Sequence, residues 1–168
     1  MKVELASSPT PASKPGTQLL ELPASARRAS EPRWRGPDGA ETSLAALEGK
    51  VVLMNLWATW CAPCITELPS LQRLQAKLHG EPFALVALSI DRNEVGADKA
   101  RALLRKLELD ELQFHHDSDG RVFRALGVEV MPTTVVFDRS GREVSRLKGP
   151  ADWDTPEAEA LLRGFMAQ

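Results

Sequence analysis

The fold is constrained most by the run Val51-Val52-Leu53-Met54-Asn55-Leu56, followed at once by Trp57-Ala58-Thr59-Trp60-Cys61-Ala62-Pro63-Cys64. The first six residues are apolar except for Asn55, the pattern of a strand covered on both faces. After Pro63 the apolar residues change period. Ile65, Leu68, Leu71, Leu74 and Leu78 recur at helical spacing, with Glu67, Gln72, Arg73 and Lys77 between them. A buried strand therefore hands over to a helix at Cys61 and Cys64, the only cysteines in the 168 residues. A helix N-terminus carries partial positive charge and unpaired N–H groups, and these favour a thiolate over a thiol. The spacing points to thiol–disulfide chemistry.

Composition sets outer limits. Hydrophobic residues make up 43% and charged residues 26%, ordinary values for a soluble globular domain. A net charge of −2 without a basic stripe argues against a nucleic-acid binder. No apolar stretch approaches the roughly 20 residues needed to span a bilayer. Met1-Lys2-Val3-Glu4-Leu5 lacks the apolar central region of a secretory signal. As written the chain would stay in the cytosol, although processing that removed a targeting segment would leave the same sequence.

Residues 1–30 read as a flexible N-terminal tail or linker and 31–168 as one folded domain. Ala6 to Gly16 is rich in Pro, Ser and Thr, while Leu19, Leu20, Leu22 and Pro23 are apolar enough to lie against the domain. Pro37-Asp38-Gly39 marks a hairpin between short segments around Trp34 and Thr42. Phe83 to Ile90 and Thr133 to Phe137 are further buried strands. Gln113 to His115 is a short strand, and Glu143 to Leu147 pairs back after a turn at Asp138–Gly141. Helices are expected from near Asp98 (Ala100, Leu103, Leu104, Leu107), over Arg121–Leu126 with a stop at Gly127, and after the cap Thr155-Pro156-Glu157. Strands that alternate with helices and end in a hairpin predict an α/β fold. It has a central mixed sheet flanked by helices, with an N-terminal hairpin extension.

Three readings compete for the cysteine pair. A structural zinc site needs four ligands, and His79, His115 and His116 have no paired spacing to the cysteines. A purely structural disulfide would close a very small loop, and crosslink stabilisation falls with loop length. A redox-active pair fits best. Cys61, outside the first helical turn and the more exposed thiol, would attack a substrate disulfide, and Cys64 would resolve the mixed disulfide from within the helix. Pro63 suits the first turn, where its missing N–H costs nothing. Ala62 and Pro63 lie between the sulfurs and tune their potential.

The motif Asn55-Leu56-Trp57-Ala58-Thr59-Trp60-Cys61-Ala62-Pro63-Cys64-Ile65-Thr66-Glu67-Leu68-Pro69, with Met131-Pro132-Thr133 before a later strand, resembles the thioredoxin superfamily. It is most similar to the TlpA/ResA branch of extracytoplasmic thiol–disulfide oxidoreductases. Gly149-Pro150-Ala151-Asp152-Trp153 resembles the TlpA side of that branch. The resemblance covers roughly residues 33 to 167. It implies a thioredoxin-like fold and a cis peptide before Pro132. Met131 would then stand beside the cysteines, its backbone able to pair with an extended substrate segment. Without it, Pro132 is only a proline that opens a strand.

Glu67 matches the acidic residue that follows the resolving cysteine in this branch. At three residues after Cys64, it can face the same side of the helix and exchange a proton with that thiol. Read alone, it could equally be a solvated helix glutamate. Asn55 stands where thioredoxin itself has a buried aspartate that accepts a proton, and an amide cannot do that. Trp57 and Trp60 would pack beside the site and line the substrate surface, with plain core packing an equal reading for Trp57. His115 and His116 read as strand-edge polar residues without a role.

The resemblance further implies a disulfide reductase in the bacterial periplasm, tethered to the inner membrane by an N-terminal anchor that this chain does not include. Its partners would be proteins with reducible cysteine pairs, in copper-site assembly of an oxidase or in cytochrome c maturation. The TlpA-like features lean towards copper. Electrons would come from a membrane thiol reductase, because the sequence has no Gly-rich phosphate loop; no cofactor or metal is expected. Two alternatives stay open. One is a disulfide-forming oxidant, since potentials in this fold span about 150 mV, about 7 kcal/mol for two electrons. The other is a non-enzymatic copper chaperone that uses Cys61 and Cys64 as soft ligands. A peroxidase fits less well, because its nucleophile would not usually sit in such a pair.

Overall fold

A computed structural model describes residues 32–168 together with the segment Leu20–Glu21. The strands are β1 (Leu20–Glu21), β2 (Trp34–Arg35), β3 (Glu41–Thr42), β4 (Val51–Trp57), β5 (Phe83–Ser89), β6 (His115–His116), β7 (Thr133–Phe137) and β8 (Glu143–Lys148). The helices are α1 (Ala62–Lys77), α2 (Asn93–Lys106), α3 (Arg121–Ala125) and α4 (Pro156–Met166), with a short 3-10 turn at Leu44–Leu47. The strands form one mixed sheet in the order β1-β8-β7-β4-β5-β6-β2-β3. β4 lies at its centre, parallel to β5 and antiparallel to β7. This is a thioredoxin-like α/β fold with a hairpin extension at β2–β3, where Trp34 faces Thr42 across the predicted turn.

The reading of β4 as a strand covered on both faces is correct: every residue from Val51 to Trp57 is buried. Its side chains alternate between two cores. Val51, Leu53 and Trp57 join Leu68, Leu71 and Leu74 of α1, Ala100 and Leu104 of α2 and Leu162 of α4. Val52, Met54 and Leu56 face Trp34, Leu44, Val122 and Leu126 on the other side. Asn55 shares the α1 side by alternation, so a polar group is carried into the core beneath that helix.

α1 tolerates Pro69 in its interior. An interior proline costs about 3 kcal/mol because it removes one ladder hydrogen bond. Leu68, Leu71 and Leu74 are each 0% exposed, and full burial of each contributes about 1.5–3 kcal/mol, which outweighs that cost.

Three expectations need correction. α2 begins at Asn93, a turn before the expected Asp98, because its first turn is polar and small and so lacks apolar periodicity. Asn93 Oδ1 accepts from the amides of Val95 (3.0 Å) and Gly96 (3.3 Å), which starts the helix. Gly96 packs so tightly that a Cβ there would lie 2.9 Å from Asp91, so only glycine fits. His115 and His116 are not at an edge: the β2–β3 hairpin docks outside β6 and buries both. Trp57 is 0% exposed and cannot line a surface. Of the apolar tail residues, Leu20 lies in β1, opposite Arg146 of β8; Leu19, Leu22, Pro23 and the Ala6–Gly16 stretch lie outside the described residues.

Candidate active site

Cys61 is the N-cap of α1, and Cys64 sits in its first turn. The two are joined by a disulfide with their Cα atoms 5.3 Å apart. Cys61 is 6% exposed and Cys64 0%, so a partner can reach only Cys61. Ala62 and Pro63 between them are exposed. Trp60, just before the pair, is 67% exposed and is the most open large apolar side chain among the described residues. The Met131–Pro132 bond is cis, as the resemblance implied. Pro132 is buried, and its carbonyl accepts from Gly149 N (2.8 Å). Met131 is half-buried and packs against the core that holds Cys61 and Cys64.

The turn that carries Trp60 is held from below. Asp91, two residues past the end of β5, is buried and accepts from Thr59 N (3.0 Å), Thr59 Oγ1 (2.6 Å) and Ser89 Oγ (2.8 Å). His116 Nε2 in turn lies 2.6 Å from the Asp91 carbonyl oxygen. His115 Nδ1 accepts from Trp34 Nε1 (3.0 Å). Burial pulls the His115 pKa down to about 4, so the ring is neutral at physiological pH. Thus the paired histidines brace the hairpin and the loop behind the site.

Glu67 lies three residues after Cys64 on α1, with only 3% of its surface exposed. Asn55 Nδ2 donates to its Oε1 (2.6 Å), while Ala151 N (3.0 Å) and Trp153 Nε1 (3.3 Å) donate to its Oε2. Burial pushes the carboxyl pKa up, and these three donors oppose the rise without cancelling it. Glu67 also lines a cleft of about 350 Å³ beside Pro63, Thr66, Arg73, Pro150 and Asp152. Glu67 is thus a buried carboxyl of raised pKa that lines this cleft and stands one turn after Cys64 on α1.

The loop over this carboxyl is clasped to α1. Trp153 is 0% exposed, and its amide donates to Ser70 Oγ (3.1 Å), which donates to the Glu67 carbonyl (2.8 Å). Asp154 pairs with Arg73 (2.7 Å) and with Lys77. Those exposed ion pairs add little, so the buried indole is the anchor.

The structure therefore gathers Cys61, Cys64 and Met131 at one core and places Trp60, Ala62 and Pro63 at its surface. It also supplies partners that sequence reasoning did not find. Asn55, Ala151 and Trp153 surround Glu67, and Asp91 and Thr59 support the Trp60 turn. Two signals existed: Asn55 is the one polar residue in β4, and the Gly149–Trp153 motif stands out in sequence but does not point to Glu67.

The redoxin family model matches residues 25–162 of the chain. ResA of Oceanobacillus iheyensis, a thiol–disulfide oxidoreductase, is 33% identical over 122 residues, 71% of this chain and 60% of that protein. The chain spans about three fifths of the length of the ResA relatives it matches. The thiol:disulfide interchange protein HelX of Rhodobacter capsulatus is 30% identical over 133 residues, 76% of this chain and 72% of HelX. Among solved structures, a Chlorobium tepidum protein described as the thiol:disulfide interchange protein DsbE superposes with a TM-score of 0.73 at 27% identity, covering 84% of this chain and 96% of its own. The chain belongs to the redoxin family and, within the thioredoxin superfamily, to the TlpA/ResA-like thiol–disulfide oxidoreductases.

Proposed function

We propose that this protein is a protein-disulfide reductase that acts outside the cytoplasmic membrane. The observation that carries the reading is the graded exposure of the pair: Cys61 keeps 6% of its surface exposed and Cys64 none, with buried Glu67 one turn further on. In the reduced protein Cys61 attacks as the thiolate, favoured by its place at the α1 N-terminus. A mixed disulfide forms. Cys64 gives its proton to Glu67, attacks the Cys61 sulfur and releases the substrate cysteine as a thiolate, leaving the Cys61–Cys64 disulfide. The substrate strand lies against Trp60, Ala62 and Pro63 and pairs with the main chain of Met131 ahead of cis Pro132. Pro132 keeps its own carbonyl bonded to Gly149, which holds that edge in place.

The relatives named ResA and HelX support a periplasmic setting, and the Pro/Ser/Thr-rich stretch Ala6–Gly16 suits a tether to the inner membrane. No helix among the described residues is long and apolar enough to cross a membrane. The partners proposed are cysteine pairs of copper-site or cytochrome maturation proteins, with a membrane thiol reductase as electron donor. The Gly149–Trp153 motif favours the copper route. The test is the equilibrium potential of the Cys61–Cys64 couple, followed by tryptophan fluorescence in thiol/disulfide buffers. A value near or below about −250 mV is expected of a reductase; one near −120 mV reverses the direction of transfer and makes this an oxidant.

A further inference from the structure

We propose that the Asn55 side-chain amide turns over with the proton on Glu67, presenting its Nδ2 donor to the carboxylate and its Oδ1 acceptor to the carboxylic acid. Asn55 is thereby a positioning residue: it lets a buried carboxyl change charge without stranding a hydrogen atom.

The argument starts from which oxygen of Glu67 can take the proton. Oε2 faces Ala151 N at 3.0 Å and Trp153 Nε1 at 3.3 Å. A main-chain amide and an indole nitrogen only donate, so a hydrogen on Oε2 would meet two others. The proton therefore belongs on Oε1, whose partner is Asn55 Nδ2 at 2.6 Å. In the orientation seen, that partner also donates. The site fits the carboxylate and would clash with the acid.

A half-turn of the amide about its terminal torsion removes the clash. The NH2 and C=O ends of the amide occupy nearly the same space, so the packing of β4 is undisturbed. Oδ1 would then accept the Glu67 Oε1–H. It would also face Thr134 Oγ1, the residue opposite Asn55 on β7, which now accepts from Nδ2 at 2.9 Å. A threonine hydroxyl can donate as readily as accept, so this second bond survives with its direction reversed. A lysine or a main-chain carbonyl at that position would have locked the amide one way round.

One atom shows that the amide is not already committed. Asn55 Oδ1 is buried and has no hydrogen-bond partner among the described residues. Buried amide oxygens are rarely left so. An Asn held for structure alone would have both ends satisfied; here one end makes two bonds and the other none. Turning it keeps the number of bonds at two, but leaves both hydrogens of Nδ2 bare in place of a bare Oδ1. The surroundings alone therefore hold the amide as seen while Glu67 is a carboxylate, and the proton on Glu67 is the deciding partner that turns it.

The remaining charged groups near Glu67 are Arg73 on α1 and Asp152 on the covering loop, both lining its cleft. Asp154 of that loop is bonded to Arg73 and Lys77. Cys64 on α1 carries no charge while it is in the disulfide. The direct contacts to both Glu67 oxygens are all uncharged donors, so the proton state is read at Oε1 by Asn55.

The use of this turnover rests on the reading of Glu67 as the proton acceptor for Cys64. In that step the Cys64 S–H bond breaks and the Glu67 Oε1–H bond forms. The freed thiolate pair attacks Cys61 Sγ, and the bond from Cys61 to the substrate sulfur breaks. The substrate gains the two electrons that the dithiol loses. A fixed donor at Asn55 would oppose proton uptake at that moment; an amide that turns would not.

The test uses the full oxidised chain labelled with 15N and 13C, in which no thiol titrates. From about pH 8 to about pH 4, the range in which carboxyl groups of raised pKa titrate, the Glu67 carboxyl carbon and the Asn55 side-chain amide are followed together. The expected result is one shared midpoint, with the Overhauser contact from the Asn55 amide protons to Thr134 present above it and lost below. In Glu67→Gln, whose amide can donate to a turned Asn55, that contact should be absent at every pH. A carboxyl that titrates while the contact persists overturns the proposal, as does a carboxyl that never titrates. Disulfide reduction by the same variant separates the two claims. Normal turnover by Glu67→Gln would sink the acceptor role with the amide behaviour intact, whereas slow turnover with a static amide would sink the amide alone.

Discussion

Replacing Glu67 by Gln should make the oxidised protein relatively more stable as the pH rises. The side chain is 3% exposed and receives hydrogen bonds from Asn55, Ala151 and Trp153 at 2.6, 3.0 and 3.3 Å. Loss of the charge from water outweighs those bonds, and the folded pKa lies above that of the unfolded chain. Between the two values the folded state holds the extra proton, so stability falls as pH rises through that window and stays lower above it. Each unit of elevation corresponds to about 1.4 kcal/mol. Gln has the same shape and no charge. Near pH 4.5, where the window opens, the exchange should cost at most one hydrogen bond, about 1 kcal/mol. Towards pH 8 the difference should shrink or change sign. Urea unfolding of both proteins across this range, with the disulfide intact, measures it directly. A difference that stays flat, or moves against Gln with rising pH, would mean that the three donors win over burial. Glu67 would then be an ordinary carboxylate, with no reason to take a proton from Cys64. On the catalytic side, loss of a general acid–base group slows a step by about 10²–10⁴. Release of product from the mixed disulfide should slow accordingly in this variant.

Three further outcomes follow from the same geometry. Trp60→Ala removes a side chain that is 67% exposed, so stability should stay within about 0.5 kcal/mol while the reaction with protein disulfides slows more than that with a small disulfide. Asp91→Asn weakens the acceptor for Thr59 N and Oγ1; a loss of about 1–3 kcal/mol and a raised KM for protein substrates should appear in denaturation and steady-state assays. His115 takes up its proton near pH 6.5 in the unfolded chain but only near 4 when folded, so stability drains by about 3 kcal/mol as the pH falls between them. His115→Gln, which can still accept from Trp34, should lack that acid-side decline in pH-dependent unfolding.

Most of the frame was readable because it rests on local patterns. The unbroken apolar run of β4 and the switch to helical spacing at Ile65 place α1 and the cysteines. Thr155 accepts from Ala158 N at 3.2 Å and starts α4 where the cap pattern put it. What was not readable depends on contacts between distant segments. The start of α2 is set by Asn93 and by the fit of Gly96 against Asp91, and neither leaves an apolar period. The histidines look like an edge until the hairpin docks outside β6. Glu67 was visible as a candidate, but its environment comes from β4, twelve residues before it, and from a loop more than eighty residues after it. No spacing rule links such positions. Asn55 signalled itself only as a polar residue in an apolar strand.

The central claim is that Cys61 attacks and Cys64 resolves. It is tested most directly by trapping: the pre-reduced protein, freed of reductant, is mixed with a disulfide-bonded protein substrate. Cys64→Ser, which cannot complete the exchange, should accumulate a substrate-linked mixed disulfide through Cys61, visible on a non-reducing gel and mapped by mass spectrometry. Cys61→Ser should trap nothing, because Cys64 is 0% exposed. Substrate captured through Cys64, or equally by both variants, would contradict the account.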